Sequence, residues 1–255
     1  MTPFEFPMHG IGTFALVGVI VFLGQVVYSS IGFGAALVSI SLLSLFFGNL
    51  DLIVPFFLLL CLPVEAWVSL RDWKQLNFSS TWKILLAMSP FLVAGSFFLK
   101  HVEDGRLLFL MGIVVITTGI YYLKYEKKLH IKRAGPWLTL LTGAGSGLLG
   151  SLFGMSGPPL VIYYQSLSLS KSEFRVALIS IFFGMGLFRA AVYSWMGFYS
   201  VPMIHAVLLF LPFSLCGLWL GNFMHHKINE AHFRKGISIL LTLSGLLLVL
   251  KHCPI

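Results

Sequence analysis

The feature that most limits the fold of this chain is a series of ten apolar segments joined by short polar or glycine-containing connections. A helix needs about 20 apolar residues to cross the hydrocarbon core of a bilayer. With 58% hydrophobic and only 10% charged residues, far below the roughly 25% charged residues of soluble domains, the sequence predicts an all-α polytopic membrane protein. The segments cover approximately 11–31, 34–48, 52–70, 82–99, 107–123, 136–153, 157–169, 176–196, 202–221 and 236–250.

Two glycine-rich stretches are expected to interrupt the helices. They are GQVVYSSIGFGAAL at 24–37 and GAGSGLLGSLFGMSGPPL at 143–160. Glycine tolerates backbone angles that other residues avoid, and proline removes an amide donor and clashes with the preceding turn. In hydrocarbon, freed backbone groups are tolerated only where protein or a water-filled cavity satisfies them. Because such breaks usually mark a transporter's binding site, we interpret the two stretches as the halves of one site.

The two halves of the chain resemble each other at a single offset. An offset of 122 residues (212 minus 90) places PFLVAG at 90–95 on PFSLCG at 212–217, and Ile31-Gly32 on Phe153-Gly154. Any single match between apolar segments is weak. Several matches at one offset along both halves predict an internal duplication.

The distribution of basic residues predicts the orientation. If the N-terminus is outside and the chain reverses at every segment, thirteen of the seventeen Lys and Arg residues face the cytoplasm. Lys100, Arg106 and Lys251 then lie outside, and Arg189 lies in the membrane. If the two short segments are instead the ends of their predecessors, the loop charges divide eight to seven. The positive-inside rule therefore favours ten segments with both termini outside.

An odd number of segments in each half inverts the second half relative to the first. We expect two inverted repeats, residues 1–133 with a cytoplasmic connector and residues 134–255, each a glycine-broken helical hairpin plus three transmembrane helices. Inverted repeats whose broken helices meet near the midplane are a recurring plan of secondary transporters.

The second break, SGLLGSLFGMSGPPL at 146–160, together with the glycine-broken start of the first half, resembles the sulfite exporter TauE/SafE family of membrane permeases. The resemblance extends from about Gly12 to Leu250. The first break departs from the family pattern, because IGFGAA at 31–36 has two glycines and no proline nearby. The resemblance implies a secondary transporter, an exporter of a small sulfur-containing anion such as sulfite or an organosulfonate, in the bacterial inner (plasma) membrane.

The chemistry of a broken helix also favours an anion. Such a break presents unpaired amides and the positive end of the helix dipole, so it can hold an oxyanion without buried lysines. Glycines allow close approach to the backbone, and serine hydroxyls add donors. The alternative is that small residues here only let membrane helices pack closely. The predicted substrate-binding residues are Gln25, Ser29, Ser30, Gly32, Phe33, Gly34, Ser151, Gly154, Ser156, Gly157, Pro158 and Arg189.

Two charges are predicted to matter inside the membrane. Intramembrane charges are costly and usually functional, so we interpret Arg189 as an anion-recognition residue. Snorkelling to the outer headgroups and a structural pair are the alternatives. Glu65 is the candidate counter-charge and the candidate carrier of a coupling proton. The alternative is an interfacial acid near Arg71.

Other function classes find little support in the sequence. The net charge of +8 comes from short loops between apolar segments, as membrane topology requires, so we expect no nucleic-acid partner. The three scattered cysteines and the run HHKINEAH at 225–232 predict no metal site. We expect a carrier that is not an enzyme and has no cofactor, with a small anion, the lipid bilayer and a coupling proton or cation as partners. An intramembrane enzyme or assembly factor and a channel-like anion uniporter are the alternatives.

Overall fold

The computed structural model describes residues 10–71, 78–124, 135–165, 171–224 and 230–253. Within these ranges all regular structure is helical, which confirms the all-α polytopic class. The predicted connector and the end of the seventh apolar segment lie outside the described residues. The helices are α1 (Ile11–Ile31), α2 (Ala35–Phe47), α3 (Leu50–Arg71), α4 (Phe78–His101), α5 (Asp104–Lys124), α6 (Pro136–Phe153), α7 (Gly157–Gln165), α8 (Lys171–Trp195), α9 (Val201–Met224) and α10 (Glu230–His252).

Helix length separates spans from shorter arms. Seven helices of the described ranges, namely α1, α3, α4, α5, α8, α9 and α10, are long and apolar enough to cross a membrane. The 13 residues of α2 and the nine of α7 extend only about 20 Å and about 14 Å at 1.5 Å per residue. Both lengths are below the roughly 30 Å of a hydrocarbon core. The chain is therefore an integral membrane protein in which α2 and α7 are too short to span alone.

Left-handed glycines form both helix breaks. Helix α1 stops at Gly32, with φ of 95°, and α2 starts after Gly34, with φ of 100°. Helix α6 stops at Gly154, with φ of 70°. The amide of Gly32 donates to the carbonyl of Tyr28 at 2.7 Å, a common way to close a helix C-terminus. Side chains with a Cβ are strained at these angles, which explains why glycine occupies them.

The outer surface of the helix bundle is apolar. Large side chains point outward from most of the long helices, including Trp137 at 75%, Trp195 at 84% and Trp219 at 74% exposure. Polar side chains such as Gln25 and Ser146 are instead fully buried. A soluble protein rarely exposes so much contiguous apolar surface, and this pattern is the one that contact with lipid requires.

The helix order of the first half recurs in the second. A long helix with a glycine break, a short helix and three long helices are followed by the same series, and the ends of α1 and α6 differ by the predicted 122 positions (153 minus 31). Helix α1 packs on α9, and α4 packs on α6, so each half supplies the neighbour of the other half's broken helix. The inverted orientation of the two halves stays a prediction.

Glycines outside the breaks allow close helix packing. A Cβ on Gly112 of α5 would lie 3.0 Å from the carbonyl oxygen of Gly245 in α10, and one on Gly245 would lie 2.9 Å from that of Gly112. A Cβ on Gly217 of α9 would lie 2.6 Å from the carbonyl oxygen of Phe22 in α1. At these positions, small residues serve helix packing as they commonly do in membranes.

The predicted orientation can be tested by cysteine labelling. In a background with Cys216 and Cys253 replaced by serine and the buried Cys61 retained, we expect Asn77→Cys to be protected from an impermeant maleimide in intact cells. The positive-inside distribution places this loop in the cytoplasm. Glu103→Cys is the matched control and is expected to react from outside.

Permeabilised cells provide the second control, since Asn77→Cys must react once the reagent reaches the cytoplasm. Labelling of Asn77→Cys in sealed cells together with protection of Glu103→Cys would contradict the predicted orientation and indicate the opposite one.

Candidate functional site

A cavity of about 50 Å³ lies between the two glycine breaks. The first break and the start of α2 contribute residues 34–37, and the second break contributes residues 154–157. Side chains of α1, α2, α3 and α8 complete the walls. They are Tyr28, Ile40, Phe57, Leu58, Cys61, Glu65, Phe182, Met185 and Arg189.

The two breaks are in direct contact. A Cβ on Gly157 would lie 3.7 Å from the Cβ of Phe33. One on Gly154 would lie 3.5 Å from the Cβ of Ala36 and would collide with the Cδ1 of Ile40. Phe33, Ala36 and Ile40 belong to the first half of the chain. The two glycine-rich stretches are therefore neighbours in the folded protein.

The first turn of α2 lines the cavity and carries backbone donors. The first amides of a helix have no acceptor within their own helix, and the dipole makes this end positive. In α2 these residues are Ala35, Ala36 and Leu37, all of which line the cavity. The corresponding turn of α7 contains Pro158 and Pro159, which have no N–H group. The first turn of α2 therefore has more amide donors for an anion than the first turn of α7.

Arg189 points into the protein. It is 5% exposed, and its Nη1 donates to the carbonyl oxygen of Gly150 near the end of α6. Its Cζ lies 5.8 Å from the ring centroid of Tyr193, whose hydroxyl donates to the carbonyl oxygen of Ser151 at 2.6 Å. The Nε of Arg189 has no hydrogen-bond acceptor. This position does not match snorkelling, because the guanidinium contacts the helix break.

Glu65 faces the same cavity from α3. It is 5% exposed, whereas Arg71 near the end of the same helix is exposed. The hydroxyl of Tyr28 donates to Oε1 of Glu65 at 2.9 Å, and Oε2 has no donor. Within the described residues, Glu65 and Arg189 form no salt bridge with each other. Glu65 is therefore a buried acid of the cavity wall.

The structure brings part of the predicted set to the cavity. Arg189, the candidate coupling residue Glu65 and four residues of the breaks line it, while Phe33 contacts the second break as described above. Ser156 is bonded through its hydroxyl to the sulfur of Met185 at 3.1 Å. The four break residues are Gly34, Gly154, Ser156 and Gly157.

The other predicted residues lie outside the lining. A Cβ on Gly217 of α9 would lie 2.8 Å from the Cβ of Gln25, and one on Gly221 would lie 2.7 Å from the Cβ of Ser29, so both residues pack against α9 at their Cβ atoms. The side-chain amide of Gln25 donates to the sulfur of Cys61 on α3. The hydroxyl of Ser30 donates to the carbonyl of Val26 at 2.7 Å.

Three more predicted residues also lie away from the cavity wall. Gly32 packs against Arg175 of α8, and the hydroxyl of Ser151 donates to the carbonyl of Gly147 at 2.8 Å. Pro158 starts the first turn of α7. A role in substrate binding stays a prediction for the whole set. The histidine run at 225–232 falls largely outside the described residues.

Eleven of the seventeen lining residues were absent from the sequence prediction, among them Tyr28, Cys61, Phe182 and Met185 from α1, α3 and α8. Tyr28 and Cys61 reach the cavity through contacts between helices that are distant in sequence. Phe182 and Met185 precede Arg189 by seven and four positions, so helical periodicity placed them on the face of α8 that carries Arg189. That spacing was the available signal.

Comparison with known proteins identifies the family. The family described as Sulfite exporter TauE/SafE matches residues 16–248. The chain belongs to the sulfite exporter TauE/SafE family.

Two curated relatives are similar to this TauE/SafE member. The "Probable sulfite/organosulfonate exporter TauE" of Cupriavidus necator is 23% identical over 167 residues, which cover 64% of this chain and 63% of the relative. The "Probable inner membrane transporter protein TsaS" of Comamonas testosteroni is 25% identical over 195 residues, which cover 74% of this chain and 79% of the relative. No solved structure gives a significant match.

The geometry of the second break predicts a stability effect. Gly154→Ala is expected to destabilise the protein by about 1–2 kcal/mol, because a Cβ is unfavourable at a left-handed position and would collide with Ile40. The measurement is the midpoint of thermal unfolding in detergent. Gly105→Ala in α5 is the matched control, since no atom lies within 4 Å of the added Cβ. Equal midpoints for both variants would contradict the strained conformation of the break.

Proposed function

We propose that this protein is a secondary transporter that carries a small sulfur-containing anion, such as sulfite or an organosulfonate, across the plasma membrane. The observation that carries the proposal is the cavity between the two breaks, where the first turn of α2 and the buried Arg189 line the same space. Amide donors, the positive helix end and a guanidinium together favour an oxyanion. The names of both curated relatives support transport, and one of them supports the sulfur chemistry.

The size of the cavity favours a small substrate. Its volume of about 50 Å³ corresponds to roughly three to five water molecules at about 10–15 Å³ each. Sulfite consists of one sulfur atom and its oxygens, so its volume is comparable to that of the cavity. Much of the remaining wall is apolar and includes Phe57, Phe182 and Met185, so the recognised part is the oxyanion group.

The proposed transport cycle uses the two halves as moving parts. Residues 1–133 and 134–255 form inverted repeats that rock about the cavity and open it to one side of the inner membrane at a time, with both termini outside. The sequence has no nucleotide-binding motif, so the driving force comes from ion and substrate gradients. A carrier of this kind exports its substrate when the outward gradient of the anion exceeds the opposing gradient of the coupled ion.

Arg189 is expected to be required for anion exchange. In proteoliposomes loaded with unlabelled sulfite, we expect saturable counterflow of labelled sulfite in the wild type and a loss of about 10- to 100-fold in affinity in Arg189→Gln, since a hydrogen bond to a charged group contributes about 1.5–3 kcal/mol. Arg106→Gln is the matched control. It removes an arginine whose side chain is 77% exposed, and it is expected to keep wild-type exchange.

Counterflow also separates the competing functions. Flux that does not saturate and shows no counterflow would favour a channel-like uniporter. Normal affinity in Arg189→Gln would remove this arginine from the site. No exchange of sulfite, sulfate, thiosulfate, sulfoacetate or taurine by correctly inserted protein would contradict the proposed transport.

A further inference from the structure

Two buried atoms of opposite charge, on residues that line the cavity, have no hydrogen-bond partner among the described residues. They are Oε2 of Glu65 and Nε of Arg189. Both residues are 5% exposed, and both line the cavity. Buried polar atoms are nearly always hydrogen-bonded in folded proteins. The cavity therefore offers one charged acceptor and one charged donor to the same ligand.

The surroundings hold the carboxyl group of Glu65 in this position. Tyr28 of α1 bonds its other oxygen. On α8, Gly186 presents bare backbone, and a Cβ there would lie 3.1 Å from Oε2. Cys61 lies one turn earlier on α3, where its sulfur accepts from the side-chain amide of Gln25 at 3.3 Å. The carboxyl group is therefore held between Tyr28 at Oε1 and the α8 backbone beside Oε2.

The charge balance around Glu65 is simple. The titratable or charged groups beside it are Tyr28 of α1, Cys61 of its own helix and Arg189 of α8. Among the described residues that line the cavity, Arg189 is the sole cation. The parts of α2, of the second break and of α7 in the lining add backbone, apolar side chains and Ser156. One buried cation thus balances one buried anion before a substrate binds.

An anionic substrate disturbs this balance. A second negative charge next to an ionised Glu65 would leave the enclosed site with an uncompensated charge, which is unfavourable where water is largely excluded. A proton on Oε2 removes that charge and converts the oxygen from an acceptor into a donor. The protonated carboxyl can then donate to an oxygen of the anion while Arg189 donates to another.

We propose that anion binding in this cavity is coupled to protonation of Glu65, so that the protein carries the anion and one proton together in the same direction. The inference rests on the proposed anion transport. The proton comes from water on the side where the anion binds, and it returns to water on the other side when the anion leaves. No covalent bond other than the O–H bond forms or breaks.

Coupling of this kind fixes the driving force. A monovalent anion that crosses with one proton moves no net charge, so the membrane potential does not drive it. Net export then requires an outward anion gradient larger than the inward proton gradient. An acid exterior favours uptake.

The test measures sulfite and proton movement in the same proteoliposomes. Purified full-length protein is reconstituted with a pH-sensitive dye in the lumen, and labelled sulfite is added with and without an acid exterior. Protein-free vesicles provide the correction for leakage. The variants are Glu65→Gln, which imitates the protonated acid, and Glu65→Asp, which keeps a titratable group. Glu103→Gln is the matched control, because it removes a carboxylate that is 77% exposed.

We expect the wild type, Glu65→Asp and Glu103→Gln to accumulate sulfite under an acid exterior, with protons entering the lumen beyond the leak. Glu65→Gln is expected to lose both the accumulation driven by the pH gradient and the proton movement, because an amide cannot release a proton. Such a result assigns the proton to Glu65.

Three results would overturn the coupling. Saturable wild-type exchange that no pH gradient drives would show that no proton crosses, while leaving the proposed transport intact. Proton movement retained in Glu65→Gln would show that the anion crosses in a protonated form and that Glu65 does not carry the proton. Folded Glu65→Gln without any exchange would show that a neutral residue at this position does not support binding. Absence of sulfite exchange in the wild type would instead remove the proposed sulfite transport, and the coupling with it.

Discussion

Backbone groups freed at a helix break inside a membrane have to find partners within the protein, because hydrocarbon offers none. At the end of α6, the hydroxyl of Tyr193 of α8 donates to the carbonyl of Ser151. Arg189 of α8 is a second donor to the carbonyl of Gly150, which also accepts from the amide of Gly154. At the end of α1, the amide of Gly32 closes the last turn on Tyr28, and Arg175 of α8 packs against the same glycine. Helix α8 therefore contacts both breaks, and the shape of the cavity depends on where it lies.

The two breaks are related in sequence but differ in chemistry. The first leads into α2, whose opening turn retains its amide donors, whereas the second leads into two prolines that have none. The charged groups are equally asymmetric, since α3 contributes Glu65 and α8 contributes Arg189. Two breaks in corresponding positions of the helix order thus enclose a cavity with a donor-rich side and an acidic side. That asymmetry is what couples an anion to a proton in the mechanism proposed above.

The helices and the breaks were open to prediction from sequence because their causes are local. Apolar runs fix the helices, and glycine with proline fixes the points where they stop. The cavity wall depends on which helices become neighbours. Gln25 and Ser29 pack against α9 at their Cβ atoms because Gly217 and Gly221 let α1 approach that helix closely. Tyr28 reaches the site through Glu65, 37 positions away, and such a pairing leaves no mark on local sequence patterns.

The central claim is that the two breaks enclose one anion site, and locating a bound anion tests it most directly. Selenite, the heavier analogue of sulfite, gives an anomalous X-ray signal that marks its position in a crystal. The account predicts a selenium peak between the first turn of α2 and Arg189, within hydrogen-bonding reach of both. A peak at any other place in the protein, with this cavity free of selenium under conditions where binding is saturated, would contradict it.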